Sequence, residues 1–191
     1  MRKTAPLKNI IDIEASGLSS LSYPIEIGIV LDNGEQYQSL IKPLTDWTHW
    51  DHGAEQLHGI SQKELKQRGR AVETVCKEVN EFCSGRTLYS DCWVHDSTWL
   101  NLLFWRAGVR KTFECSPFES LLNDGYLHNY AETKLAVEAM NNSVTHRALE
   151  DALTIQQAVF LLENKLGSGR GLLGRTFSES NDERLALVTA N

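Results

Sequence analysis

Three stretches near the start of the chain carry the pattern of extended backbone. Residues 7–14 are apolar with β-branched isoleucines, residues 24–31 alternate through Ile25, Ile27, Ile29 and Leu31, and residues 36–42 are again extended in character. The turn signals Ser16-Gly17 and Asp32-Asn33-Gly34 separate them. Connections this short predict an antiparallel meander, because a parallel return needs a crossover of about a dozen residues or more. The period then changes. Val72, Val75, Cys76, Val79, Phe82 and Cys83 fall three and four apart, which predicts an amphipathic helix over residues 71–83, closed by Gly85. A short strand over 87–91 follows, then a helix over 96–107 with Trp99, Leu102, Leu103 and Trp105, whose tryptophans are read as core. A fifth strand over 111–115 and a helix over 131–140 come next. The last element is long: from Ala148 or Leu149 to Leu166 the residues Leu149, Ala152, Val159, Leu162 and Leu166 form one side, and Gly167-Ser168-Gly169 stops it. Strands first, then strands alternating with helices, predict an α/β architecture: a mixed five-stranded sheet, meander plus parallel strands, between layers of helices.

With 191 residues and 41% apolar positions, the chain can bury one ordinary core. We expect one domain over residues 1–166 and a tail over 167–191 that is a flexible arm or is docked through Leu185-Ala186-Leu187-Val188. The start of the chain has no signal-peptide pattern, and no run of about eighteen uncharged apolar residues occurs, so a cytoplasmic location without membrane contact is expected. Cys76, Cys83, Cys92 and Cys115 are far apart and unpatterned, which argues against a disulfide scaffold and a zinc ribbon; they are read as reduced and mostly buried. The balance of 19 basic against 25 acidic residues, a net charge of −6, excludes a protein that coats nucleic acid through bulk positive charge. If phosphates are handled, cations must be supplied locally.

Candidate chemistry begins at the end of the first strand. Asp12 and Glu14 stand at i and i+2 in the apolar run Ile10-Ile11-Asp12-Ile13-Glu14, so both point to one face. Two carboxylates a few ångströms apart on a half-buried surface resist ionisation unless a cation sits between them, and magnesium or manganese suits oxygen ligands. The plain alternative is a strand end with one acid in water. Asp96 opens a predicted helix, where an aspartate is ordinarily a cap. His146 precedes Asp151 by five residues at the head of the last helix; alone, these are a surface histidine and an exposed acid. His49, His52 and His58 follow no structural zinc spacing, and Trp47 and Trp50 beside them cover one end of the sheet or line a groove for stacked bases.

The order and spacing of Asp12-x-Glu14, Asp96 and His146-x-x-x-x-Asp151, with Gly17-Leu18 after the acidic pair and His58-Gly59-Ile60-Ser61, resemble the DEDDh (DnaQ-like) family of 3′-to-5′ exonucleases. The resemblance spans residues 7–166. It implies a ribonuclease H-like three-layer α/β/α fold and a 3′-to-5′ exonuclease that releases nucleoside 5′-monophosphates from single-stranded ends of DNA or RNA. It further implies two divalent cations, Mg²⁺ or Mn²⁺, held by Asp12, Glu14, Asp96 and Asp151, with His146 as general base. Asp12 would bridge both ions, and Ser16, Leu18 and His58 would surround the terminal nucleotide, Leu18 pressing on the base. The chain departs from the family where Cys92 and His95 replace an asparagine and a phenylalanine of the second motif, which bears on the packing around that nucleotide. Two rival readings of the same fold are a catalytically silent module that grips a nucleic-acid end or a partner, and a phosphodiesterase of short oligonucleotides. A homodimer or a protein partner engaged through the tail is a further expectation.

Overall fold

A computed structural model describes residues 5–122, 124–141 and 146–166 of the chain. Five strands form one sheet in the order β3-β2-β1-β4-β5. The strands β1 (Ile10–Ala15), β2 (Pro24–Val30) and β3 (Gln36–Leu40) are the antiparallel meander, while β4 (Thr87–Ser90) and β5 (Glu114–Pro117) run parallel to β1. The mixed five-stranded α/β architecture agrees with the sequence pattern. The fifth strand begins three residues later than its apolar residues suggest, because Phe113 is spent in the core rather than in the ladder.

Alternation along β1 divides the molecule. Ile11, Ile13 and Ala15 face the helices α3 (Val72–Cys83) and α4 (Trp93–Ala107), packing on Val75, Cys76, Val79, Leu100 and Leu103. Ile10 and the two acids face the other layer, α5 (Asp124–Asn141) and α6 (Ala148–Leu166), where Ile10 meets Ile155, Val159 and Leu162. Two short helices missed by periodicity, α1 (His52–His58) and α2 (Gln62–Arg68), follow β3. Each has only about two turns, too few to display a stripe, but each carries a side-chain cap: Asp51 accepts from Gly53 and Ala54, and Ser61 accepts from Glu64.

Some expectations are corrected. Trp99 is core, whereas Trp105 is exposed, since the two are six residues apart and lie on different sides of α4. All four cysteines are free, but only Cys76 and Cys83 are buried; Cys92 is exposed at the start of α4 and Cys115 is half-buried. The tail over 167–191 lies outside the described residues. No described helix is long and apolar enough to cross a membrane.

Candidate active site

The two acids of β1 emerge from the sheet on the side of α6. Asp12 lies opposite Gly28 of β2 and Glu14 opposite Glu26. Asp151, in the first turn of α6, comes down beside them, and one carboxylate oxygen from each of Asp12, Glu14 and Asp151 lies within 4.8 Å of the others. This is the single group of metal-suited side chains among the described residues, so the histidines at 49, 52 and 58 form none.

Asp96 reaches the same place by another route. The helix α4 begins at Trp93, three residues before the position suggested by the sequence, which puts Asp96 inside the first turn; the side chain is 1% exposed and caps nothing. Its Oδ2 accepts a 2.5 Å hydrogen bond from the Ser90 hydroxyl, and the carboxylate takes a backbone hydrogen bond from Ile13. A residue read as a helix cap is thereby turned toward the end of the sheet. Of the neighbouring charges, that of Asp96 acts most strongly on Asp12.

The electrostatics are those of a crowded anionic site. Burial, then Asp96, Glu14 and Asp151, hold the Asp12 carboxyl well above the usual carboxylate range. Burial and the charges of Asp151, Glu26 and Asp96 push Glu14 up to about 8, against the opposing pull of Arg147. Burial lifts Asp96 to about 7 despite the Ser90 hydrogen bond. Burial lifts Asp151 to about 6, with His146 and Lys134 opposing. Four acids that resist ionisation together, with oxygen donors only, form a set suited to hard divalent cations. The residues fit that use.

His146 stands just before α6, with its side chain 62% exposed and its Nδ1 3.6 Å from Asp151 Oδ2. Its backbone N–H donates to the Leu57 carbonyl at 3.4 Å, which ties it to the end of α1. That helix ends in His58, 2% exposed, whose Nδ1 accepts from the Ile60 N–H at 3.0 Å and whose Nε2 is buried without a hydrogen-bond partner. Accepting at Nδ1 leaves Nε2 as the protonated nitrogen of a neutral ring.

The loop after β1 is fixed at both ends. Ser16 N–H donates to Tyr23 O, Tyr23 N–H donates to Ser16 Oγ, and Asp51 N–H donates to Ser16 O. Gly17, at φ 147°, passes so close to Asp51 and His49 that a Cβ would lie 2.8 Å from Asp51 Cβ. Ser16 is thus buried and occupied with its own loop, whereas Leu18 is held out with 75% of its surface exposed. Leu18 is therefore not spent in core packing.

Four residues escaped the sequence reading. Asp91 accepts from the Tyr130 hydroxyl at 2.8 Å and from Lys134 Nζ at 2.6 Å. Tyr130 and Lys134 are one helical turn apart, but the apolar pattern of α5 is too weak to show that its helix begins before residue 131. Glu26 falls on the polar side of the alternation through Ile25, Ile27 and Ile29, so the sequence does not show that it is buried.

Comparison with known proteins matches the exonuclease (RNase_T) family model to residues 10–159. No curated protein matches by sequence. Among solved structures, Escherichia coli exonuclease I in complex with a dA16 oligonucleotide is similar, with TM-score 0.63, 13% identity, and coverage of 85% of this chain and 42% of that one. The moderately thermophilic exonuclease I from Methylocaldum szegediense gives TM-score 0.61 and 16% identity over 87% of this chain and 44% of that one. A zinc-bound form of the E. coli exonuclease I complex with single-stranded DNA gives TM-score 0.62 and 14% identity, covering 86% and 43%. The present chain spans less than half the length of these structures.

Proposed function

Because this chain belongs to the exonuclease (RNase_T) family, we propose that it is a metal-dependent 3′-to-5′ exonuclease that releases nucleoside 5′-monophosphates from single-stranded ends of DNA or RNA. The observation that carries this reading is the convergence of Asp12, Glu14 and Asp151 within 4.8 Å, with a buried Asp96 whose charge acts on Asp12. Single-stranded DNA is the first substrate to test, since the similar exonuclease I structures hold it.

In this proposal Asp12, Glu14, Asp96 and Asp151 hold two divalent ions, Mg²⁺ or Mn²⁺; Asp96, tied up by Ser90 and Ile13, contributes in part through water. When bound, such ions supply Lewis-acid stabilisation of charge at phosphorus and make water easier to deprotonate. The chain's own part is positioning and proton transfer. His146 is exposed enough to meet a water in the site, and it takes the proton as the water oxygen bonds to the terminal phosphorus; the bond to the 3′ oxygen of the penultimate nucleotide breaks, and that oxygen leaves with the electron pair and takes a proton from solvent. Asp151 Oδ2 stands 3.6 Å from His146 Nδ1, beside the ring.

Leu18, held outward by the fixed loop, offers an apolar surface to the terminal base. The Ser16 side chain is already bonded to Tyr23, so a backbone group near Ser16 is what remains for the 3′ hydroxyl. His58 offers its spare Nε2–H.

The test is a 5′-labelled panel of single- and double-stranded DNA and RNA with Mg²⁺, Mn²⁺ or EDTA. Single-stranded substrates should shorten from the 3′ end one nucleotide at a time, and EDTA should stop the reaction. Internal cuts, or turnover that survives EDTA, reject the proposal. Tight binding of ends without cleavage would identify a silent module instead.

A further inference from the structure

Glu26 is a charged residue in the middle of a buried strand, 0% exposed, and both of its oxygens are fully engaged. Oε2 accepts from Arg147 Nε at 2.9 Å and from the Ala148 N–H at 3.1 Å, while Oε1 accepts from Arg147 Nη2 at 2.5 Å and Gln38 Nε2 at 3.0 Å. Ala148 is the first residue of α6, so a strand of the sheet supplies the carboxylate that this helix needs at its positive end. Two residues along, Gly28 lets the helix approach the strand. A Cβ there would lie 2.2 Å from both Ala148 C and Leu149 N, inside the helix backbone.

What this arrangement holds is the chemistry-bearing turn. Arg147 directly follows His146, and its carbonyl accepts from the Asp151 N–H at 2.9 Å. Glu26 is also the cross-strand neighbour of Glu14, and Arg147 opposes the effect of Glu26 on that acid. A bare buried glutamate here would add a fifth negative charge to the site. Paired with the guanidinium, it fixes geometry without adding net charge.

We propose that Glu26 and Arg147 are positioning residues for the hydrolysis: their forked ion pair, together with the close approach at Gly28, seats the first turn of α6 so that His146 and Asp151 stand beside Asp12 and Glu14. This inference rests on the exonuclease reading for its kinetic consequence but not for its structural one. Arg147 is the better residue to change, since its side chain is 32% exposed and its loss leaves the core filled. Glu26→Gln serves as the second variant, used where circular dichroism shows it folded.

The experiment compares wild type, Arg147→Gln, Arg147→Lys and Glu26→Gln. Three readouts are taken: hydrolysis of a 5′-labelled oligonucleotide, calorimetric titration with Mn²⁺ alone, and amide hydrogen exchange of a peptide over residues 146–155. We expect Arg147→Gln to lower kcat about 10- to 100-fold with KM within about twofold, to weaken Mn²⁺ binding by about tenfold, and to speed exchange in that peptide, while the peptides of α3 and α4 stay protected. Arg147→Lys should recover part of kcat, because it keeps the charge and loses the fork. A folded Arg147→Gln with wild-type kcat, Mn²⁺ affinity and exchange overturns the positioning role and leaves the exonuclease reading standing. Wild type that binds Mn²⁺ but cuts nothing overturns the exonuclease reading, and the exchange and titration still decide the positioning role. Wild type that neither cuts nor binds Mn²⁺ overturns the exonuclease reading and the kinetic consequence, and the exchange of residues 146–155 then decides whether the pair seats the turn.

Discussion

The two faces of β1 are built from alternate residues of one short strand, and they are opposites. Toward α3 and α4 the strand offers Ile11 and Ile13, buried in a cluster with Val75, Val79, Leu100 and Leu103. Toward α6 it offers Asp12 and Glu14, whose own charges and those of Asp96 and Asp151 oppose their ionisation. The first face stabilises the fold by removing apolar surface from water. The second works against the fold for as long as the acids stand without a counter-ion. A two-residue period thus lets a six-residue strand carry an apolar face and an acidic one at the same time, and Asp96 of α4 reaches from the apolar layer to the acids.

The contrast can be broken most severely at Asp12. Asp12→Asn should reduce hydrolysis to the level of the EDTA control, yet raise the melting temperature of the cation-free protein, because one member of the repelling set is gone. Loss of both activity and melting temperature would mean that the acid supports the fold. Next, His146→Ala should lower kcat about 10²- to 10⁴-fold, as expected for a proton acceptor, while calorimetric Mn²⁺ affinity stays within a few-fold. Lost Mn²⁺ affinity instead would move His146 from proton transfer to ion binding.

On the opposite face, Ile11→Ala should destabilise the protein by about 2–5 kcal/mol in urea unfolding, with kcat per folded molecule nearly unchanged. A fall in kcat without a loss of stability would show that the faces are coupled. The smallest effect is in pH. The folded-state pKa of Glu14 is raised to about 8 from an ordinary 4.5, so the folded chain holds this proton more tightly than the unfolded one. Its contribution is complete below about 4.5 and is lost as pH rises through about 8. In EDTA the melting temperature should therefore rise by about 5 °C between pH 8.5 and pH 5.5, and saturating Mn²⁺ should flatten the slope. A cation-free protein that melts higher at pH 8.5 would contradict the crowded-anion description.

Legibility followed the same division. The apolar faces were readable because burial imposes a period, and the elements β1 to β4, α3 and α6 fall close to where that period puts them. Asp12 and Glu14 were readable because charges in an apolar run are conspicuous, whereas Asp151 stood out only through the family spacing that it completes with His146; the fold brings the three acids together. What was not readable depends on where a chain bends rather than on what it contains. The early start of α4 decides that Asp96 faces the sheet end instead of capping a helix. The length of α5 decides that Tyr130 and Lys134 meet Asp91. Glu26 and Arg147 are more than a hundred residues apart, and no local pattern announces that they will form a buried fork.

The brevity of β4 has a consequence for the whole molecule. It ends at Ser90 and meets β1 in register at Ile10↔Tyr89, so the Ile13 amide is left to a side chain rather than to a neighbouring strand. A longer fourth strand would satisfy that amide with its own carbonyl, and the sheet would be more regular for it. The candidate site is therefore a notch left by an unfinished strand: lengthening β4 by two residues would mend the ladder and evict the carboxylate that now occupies the gap.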